Sequence, residues 1–225
     1  MARRKGINDR QKIIQSKNLK RKRNYLNKKM VIIIACEGSK TEKNYFKAFF
    51  DDLIKHGKLS ARSYVFAPHQ HTNPVGVLDD LLTFHGTDGL TYKDFDEKWI
   101  VIDRDEERSN GGGHTPNDYT DAIQKSASKN ISVAYSNPSF ELWYLLHFNF
   151  YNTSLDRDTT NKKLKPFMSN YKKGDMSHYN QLKDKLDIAI MNAKKLDCNE
   201  NCDEVRNAMK NPVTTVYRLV NKFIN

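Results

Sequence analysis

Short apolar runs that end in charged residues alternate along this chain with amphipathic stretches, and this alternation constrains the fold more than any other sequence feature. The run from Met30 to Cys36 is continuously apolar and rich in β-branched residues, which is typical of a strand buried on both faces. Similar short runs follow at residues 63–67, 98–103 and 131–135. The sequence therefore predicts an α/β fold with a mostly parallel four-stranded sheet flanked by helices.

The stretches between the predicted strands have the spacing of helices. Apolar residues from Tyr45 to Ile54 recur three and four positions apart, and Pro74 suits the first turn of the next helix. Further helices are predicted at residues 116–128 and 138–148. Beyond Asn149 the strand signals stop, and helices are predicted at residues 162–171, 179–195 and 213–223. We therefore predict a basic arm at residues 1–29, an α/β domain at 30–150 and a helical C-terminal extension at 151–225.

The positive charge of the chain is concentrated at its N-terminus. Residues 1–29 contain twelve Lys or Arg and one acid, whereas the remaining residues have 26 basic and 26 acidic side chains. Such an arm most often contacts nucleic acid through the phosphates, although a solubilising or disordered tail has the same composition. The nucleic-acid-binding candidates in the arm are Arg3, Arg4, Lys20, Arg21, Lys22 and Arg23.

The remaining composition narrows the class of protein. No apolar run is long enough to span a membrane, and no secretory signal follows the basic N-terminus. Three cysteines are too few for a disulfide framework, and Cys198 and Cys202 without neighbouring histidines make a poor zinc site. A cytoplasmic location is the expectation that follows.

Carboxylates follow two of the predicted strands at the sheet edge where ligands gather in open parallel sheets. Glu37 comes directly after the first strand, while Asp103 and Asp105 end the third and can project to the same side. Oxygen-only ligands select a hard cation, and Mg²⁺ (or Mn²⁺) is the usual choice beside phosphate. Each of these acids also has a structural explanation that needs no ligand, because residues in the loops that follow strands are usually polar. Glu42, in the first turn of a helix, is also favourable there through the helix dipole.

Three motifs in the chain resemble those of the RloB-like family. They are Ile34–Phe46 (IACEGSKTEKNYF), Val101–Asp105 (VIDRD) and Ser136–Phe148 (SNPSFELWYLLHF). They occur in the expected order and extend through most of residues 30–150. The first and third motifs are long, which makes the resemblance fairly specific.

The resemblance implies a Toprim-type fold, the metal-binding α/β domain of topoisomerases, primases and overcoming-lysogenisation-defect nucleases. In that fold a glutamate after the first strand acts as general acid/base and an Asp-x-Asp after a later strand holds Mg²⁺. Those positions here are Glu37, Asp103 and Asp105, with Glu42 and Glu141 as further candidate metal ligands. His147, among apolar neighbours, is expected to be a core or interface histidine.

The resemblance also implies a role in bacterial defence against phage, beside an ATPase of the ABC/SMC-like class. The expected activity is metal-dependent cleavage of RNA, including tRNA, or of DNA, with Lys40 and Arg104 stabilising developing charge. A homo-oligomer is one form that such an effector could take. The alternative is a non-catalytic module that binds nucleic acid and the ATPase. Phosphotransfer from an aspartate is disfavoured because Glu37 follows the first strand.

Overall fold

The computed structural model describes residues 31–87, 89–105, 113–169, 171–198 and 202–224, together with residues 14, 16 and 17. Apart from those three positions, the basic arm with its six candidate nucleic-acid-binding residues lies outside the described residues. The strands are β1 (Ile32–Cys36), β2 (Tyr64–Phe66), β3 (Glu97–Asp103), β4 (Ser132–Asn137) and β5 (Val213–Thr214).

These strands form one sheet in the order β2-β1-β3-β4-β5. β1 pairs in parallel with β2 and β3, and β3 pairs in parallel with β4, whereas β5 is antiparallel to β4. The prediction of a mostly parallel sheet flanked by helices is confirmed, but the sheet has five strands and not four. Residues 213–214 were predicted as helix, and two residues are too few to show the alternation of a strand.

Helices cover both faces of the sheet. In the described residues they are α1 (Thr41–Lys55), α2 (Pro74–Leu82), α3 (Pro116–Ala127), α4 (Glu141–Leu145), α5 (Arg157–Leu164), α6 (His178–Leu182), α7 (Leu186–Leu196), α8 (Glu204–Ala208) and α9 (Val216–Ile224). Short 3₁₀ turns lie at Tyr92–Asp94 and Lys183–Lys185.

The C-terminal helices differ most from the sequence prediction. Asp156 accepts a hydrogen bond from the backbone N–H of Thr159, so α5 begins at Arg157, five residues earlier than predicted. The predicted helix over 179–195 is divided into α6 and α7 by the 3₁₀ turn. The helix α8 was not predicted. Caps and short turns are local features that apolar periodicity does not detect.

The core has two parts, one on each face of the sheet. Ile32 and Ile34 of β1 point to the face covered by α1, α4, α7 and α9, and Ile33 points to the face covered by α2 and α3. Leu219 and Phe223 of α9 belong to the same buried cluster as Ile32 and Ile34. The core is therefore continuous across residue 150, and the division of the chain at that residue remains a prediction.

Two further predictions concern membrane spans and cysteines. No helix in the described part of the chain has the length and apolar character needed to cross a membrane. Cys198 and Cys202, for which no disulfide framework was expected, form a disulfide, with their Cα atoms 6.1 Å apart. Cys36 is a buried free thiol at the end of β1.

Candidate functional site

A cavity of about 510 Å³ lies at the edge of the sheet where the parallel strands β1 and β3 end. Its lining includes Glu37, Glu42, Asp103 and Asp105, so four of the five acids selected from the sequence line one cavity. The parallel register explains this, because Cys36 pairs with Val101 and the residues that follow both strands emerge side by side.

Glu37 is fixed by two hydrogen bonds to the end of β3 and by a third to His114. Its backbone N–H donates to the carbonyl oxygen of Val101 over 3.0 Å, which extends the pairing of β1 and β3. Its Oε2 accepts from the backbone N–H of Asp103 at 3.0 Å, and its Oε1 accepts from Nε2 of His114 at 2.6 Å. The carboxylate predicted to move a proton is thus held in contact with a second group that can do so.

His114 lies in the segment between β3 and α3, which the sequence indicated only as a loop. Its backbone N–H donates to the carbonyl oxygen of Asp105 at 2.8 Å, and its imidazole is almost buried. Burial favours the neutral ring, but the hydrogen bond and the charge of Glu37 outweigh it and raise the pKa of His114. The Glu37–His114 pair can therefore store a proton at the cavity wall.

Arg157, the first residue of α5, occupies the position between the two aspartates. Its Nη2 lies 3.1 Å from Oδ2 of Asp103, and its Nη1 lies 3.3 Å from Oδ2 of Asp105. Burial and the charges of Glu42 and Glu37 raise the pKa of Asp103, while Arg157 opposes that rise. For Arg157 itself, burial lowers the pKa, and the two aspartates more than compensate and raise it.

Glu42 is buried in the first turn of α1 and packs against the backbone of Gly38, where any Cβ atom would meet its carboxylate. Burial and the nearby carboxylates of Glu141 and Glu37 raise the pKa of Glu42 to about 7. Lys173, which also lines the cavity, partly opposes that shift. Glu42 therefore keeps its proton to a higher pH than an ordinary carboxyl group does.

The other predicted site residues are placed differently. Glu141 begins α4 and accepts a hydrogen bond from the Tyr171 hydroxyl at 2.8 Å, outside the group of described residues that line the cavity. Lys40 is exposed immediately before α1. Arg104 is buried, donates to the carbonyl oxygen of His114 at 3.4 Å and packs over the ring of Tyr119. Its contacts are those of a packing residue, and its role at a phosphate remains a prediction.

The donor atoms of the cavity suit a hard cation. Oδ1 of Asp103 and Oε2 of Glu42 are buried carboxylate oxygens with no hydrogen-bond partner among the described residues. The other Asp103 oxygen and Asp105 are paired with Arg157. Within the described residues no three His, Cys, Asp or Glu side chains converge as a ready metal site. The residues therefore fit Mg²⁺ or Mn²⁺ in donor type, with Asp103 and Glu42 as the available ligands.

Three ionisable residues that line the cavity were missed by the sequence reasoning: His114, Arg157 and Lys173. His114 follows a Gly-rich stretch directly after the acidic strand end, a position that could have been recognised. Arg157 and Lys173 lie in stretches of ordinary charged residues, and no local pattern distinguishes them from solvated surface residues.

The fold and this cavity define an α/β protein with an acidic site at the carboxyl edge of a mostly parallel sheet. The family model described as RloB-like protein matches residues 32–223, and the chain belongs to the RloB-like family. No curated protein and no solved structure matches the chain.

Proposed function

We propose that this protein is a metal-dependent nuclease with a Toprim-type catalytic domain, which hydrolyses phosphodiester bonds of RNA, including tRNA, or of DNA. The observation that carries the proposal is the cavity in which Glu37, Glu42, Asp103 and Asp105 meet at the end of β1 and β3. Family membership supports it further. The proposed role is that of an effector in antiphage defence, working with an ABC/SMC-like ATPase encoded alongside.

The residues available to hold Mg²⁺ or Mn²⁺ are Asp103 and Glu42, which have partnerless oxygens, with Asp105 joining if Arg157 moves. A bound divalent ion would supply charge neutralisation at the scissile phosphate and a more acidic water. Glu141 accepts a hydrogen bond from Tyr171, and its charge raises the pKa of Glu42.

Glu37 is the proposed general acid/base, and His114 is its proton partner. The 2.6 Å hydrogen bond lets the proton on His114 Nε2 pass to Glu37 Oε1, from which Glu37 can give it to the leaving oxygen. Asp103 N–H holds the other Glu37 oxygen, so the carboxylate keeps one orientation. Arg157 and Lys173 provide positive charge for the phosphate in the same cavity.

The test is a cleavage assay on mixed tRNA and on plasmid DNA, with Mg²⁺ or Mn²⁺ and with EDTA, in the absence and presence of the ATPase. Glu37→Gln and Asp103→Asn should each lower cleavage by at least about 100-fold. Asp121→Asn is the matched control, because Asp121 is an exposed carboxylate on α3 that pairs only with Lys125 in the described contacts. Cleavage that survives EDTA or the Asp103→Asn change would contradict the proposal.

A second candidate is a non-catalytic module that binds nucleic acid and the ATPase. The observation that favours it is the ion pairing of Asp103 and Asp105 with Arg157, because it neutralises the aspartates without a metal. Calorimetric titration with Mn²⁺ separates the two candidates. Binding that is lost in Asp103→Asn supports the nuclease, and the lack of any binding by the wild-type chain supports the module.

A further inference from the structure

A surface of aromatic rings and lysines lies apart from the cavity. The rings of Phe148 and Phe167 are stacked, with centroids 4.8 Å apart and an interplanar angle of 10°. Lys185 Nζ lies 4.4 Å from the centroid of Phe148, and Lys195 Nζ lies 5.4 Å from that of Phe150. These five residues are called the aromatic–lysine platform below.

Two rings of the platform are unusually open to solvent. Phe150 is 41% exposed and Phe167 is 40% exposed, whereas Phe148, on which Phe167 stacks, packs against the core. Next to them Lys163 Nζ lies 5.1 Å from the ring centroid of Tyr151, a third lysine over an aromatic face. Large aromatic side chains clustered at a surface mark a binding site more often than scattered ones do.

The charge of this part of the chain complements a polyanion. Residues 157–195 contain ten Lys or Arg and four Asp, a net charge of +6, although the chain after residue 29 is neutral as a whole. Most of these side chains are exposed or half-exposed on α5, α7 and the segment between α5 and α6. Counterion release from phosphates would therefore favour nucleic acid at this surface.

Exposed aromatic rings beside lysines are the combination that binds single-stranded nucleic acid. Unpaired bases stack on aromatic faces, while lysines contact the phosphates between them. The exposed ammonium groups of Lys185 and Lys195 can leave their rings for a phosphate, which would uncover ring faces for the bases. A duplex keeps its bases stacked inside and cannot use these rings.

A protein partner is the competing occupant of an exposed aromatic surface. Protein–protein interfaces are enriched in aromatic residues but depleted of lysine. In the platform each of Phe148 and Phe150 has a lysine over its ring, and Tyr151 beside it has one too. The pairing of rings with lysines therefore favours nucleic acid over a protein surface.

The helix α5 connects the platform with the cavity. Arg157, its first residue, lines the cavity, and Phe167 follows three residues after its last residue, Leu164. At a rise of 1.5 Å per residue the two lie roughly 15 Å apart along the chain. At about 3.4 Å per stacked nucleotide, a strand on the platform would reach the cavity within about five nucleotides.

We propose that the aromatic–lysine platform binds single-stranded nucleic acid and directs the strand toward the cavity. The direction toward the cavity rests on the proposed nuclease function, whereas binding at the platform does not depend on it. The substrate class of the site is then single-stranded segments of nucleic acid, such as loops or unpaired ends.

The binding experiment measures fluorescence anisotropy of a labelled oligouridine of about 12 nucleotides and of an RNA duplex of the same length, in EDTA with the full chain. Phe150→Ala and Phe167→Ala should each weaken single-strand binding by about 5- to 100-fold and leave duplex binding unchanged. Phe150→Tyr and Phe167→Trp should retain single-strand affinity. Met209→Ala removes another exposed apolar side chain, on the turn after α8, and serves as the control.

The outcomes separate this proposal from the nuclease proposal. If the single-strand affinity of both alanine variants stays within about twofold of the wild-type affinity, the proposal that the platform binds single strands is overturned. This holds whether the platform binds a protein or has no partner. Equal losses for single strand and duplex, in variants whose thermal unfolding matches that of the wild type, overturn it too, because the rings then make no specific contribution to binding unpaired bases. The anisotropy experiment is run in EDTA and measures binding alone, so its result can be interpreted even if the nuclease proposal fails.

Discussion

The guanidinium of Arg157 lies between the carboxylates of Asp103 and Asp105, 3.1 Å from one and 3.3 Å from the other. The two aspartates are two residues apart at the end of β3, which places both on the same side of the strand. Without a positive charge they would repel each other in a mostly buried site. The chain supplies that charge from α5, so any cation that binds both aspartates must compete with Arg157.

Replacing Arg157 should therefore destabilise the protein and improve cation binding at once. Arg157→Ala should lower the free energy of unfolding by about 1–3 kcal/mol in EDTA, because two carboxylates lose their counterion in a partly exposed site. The apparent affinity for Mn²⁺ should rise by about tenfold, an order-of-magnitude expectation for removing one competing charge. Thermal unfolding with and without Mn²⁺, together with calorimetric titration, measures both effects.

The matched control for Arg157 is Arg62→Ala, because Arg62 is an exposed arginine outside the cavity lining. It should change neither stability nor Mn²⁺ affinity. Equal Mn²⁺ affinity in Arg157→Ala and the wild type would show that Arg157 and the cation do not compete.

Glu42 should make the protein less stable as the pH rises. Its pKa is raised by burial to about 7 from an ordinary value of 4.5, so the folded state holds a proton that the unfolded chain releases between these values. The stabilisation is complete below pH 4.5 and is lost as the pH rises through 7. It corresponds to about 3 kcal/mol at 1.36 kcal/mol per unit.

Glu42→Gln should remove this pH dependence, because the amide does not titrate. Urea unfolding of both proteins at a series of pH values between 4.5 and 8 measures the effect, and the difference between the two curves isolates Glu42 from other titrating groups. Curves that stay parallel over this range would show that Glu42 titrates alike in the folded and unfolded chains.

Gly38→Ala should damage the site without unfolding the protein. The added Cβ would meet the carboxylate of Glu42, the movable end of a side chain, and would push it away from its position over Gly38. We expect Mn²⁺ affinity to fall about tenfold and the free energy of unfolding to change by less than about 1 kcal/mol. Gly86→Ala is the control, because its Cβ would only approach Leu90 at 3.2 Å. Unchanged Mn²⁺ affinity in Gly38→Ala would contradict the expectation.

His147 should make the protein sensitive to acid. It is fully buried, and its Nδ1–H donates to the carbonyl oxygen of Trp143 at 2.8 Å. Burial lowers the pKa of His147 from 6.5 to about 4, so between these pH values the unfolded chain binds a proton that the folded state does not bind. The stability present above pH 6.5 is lost as the pH falls toward 4, by about 3 kcal/mol.

His147→Asn keeps a donor near the position of Nδ1 and has no titrating ring. Its free energy of unfolding should fall less between pH 6.5 and 4.5 than that of the wild type, as measured by urea unfolding. If the free energy of unfolding falls equally in the wild type and the variant over this pH range, His147 is not responsible for the acid sensitivity. This comparison does not depend on the stability of the variant at pH 7.

Much of the fold could be predicted because its signals are local. The strands at Ile32–Cys36, Glu97–Asp103 and Ser132–Asn137 are apolar runs that any pairing would bury, and their alternation with helices favours parallel order. β5 at Val213–Thr214 could not be predicted in this way. It is a strand because Tyr135, Ser136 and Asn137 of β4 meet it through contacts such as Ser136 Oγ to Thr214 Oγ1 at 2.9 Å.

The sequence by itself determined which acids meet, since Glu37, Asp103 and Asp105 follow parallel strands whose ends share one edge of the sheet. Only the tertiary structure decided what those acids touch. Arg157 reaches Asp103 across 54 residues, and His114 reaches Glu37 across 77. Local sequence indicates where a strand ends, and backbone pairing then brings the strand ends together. The partner of a side chain depends instead on how distant helices and loops pack, which local sequence does not indicate.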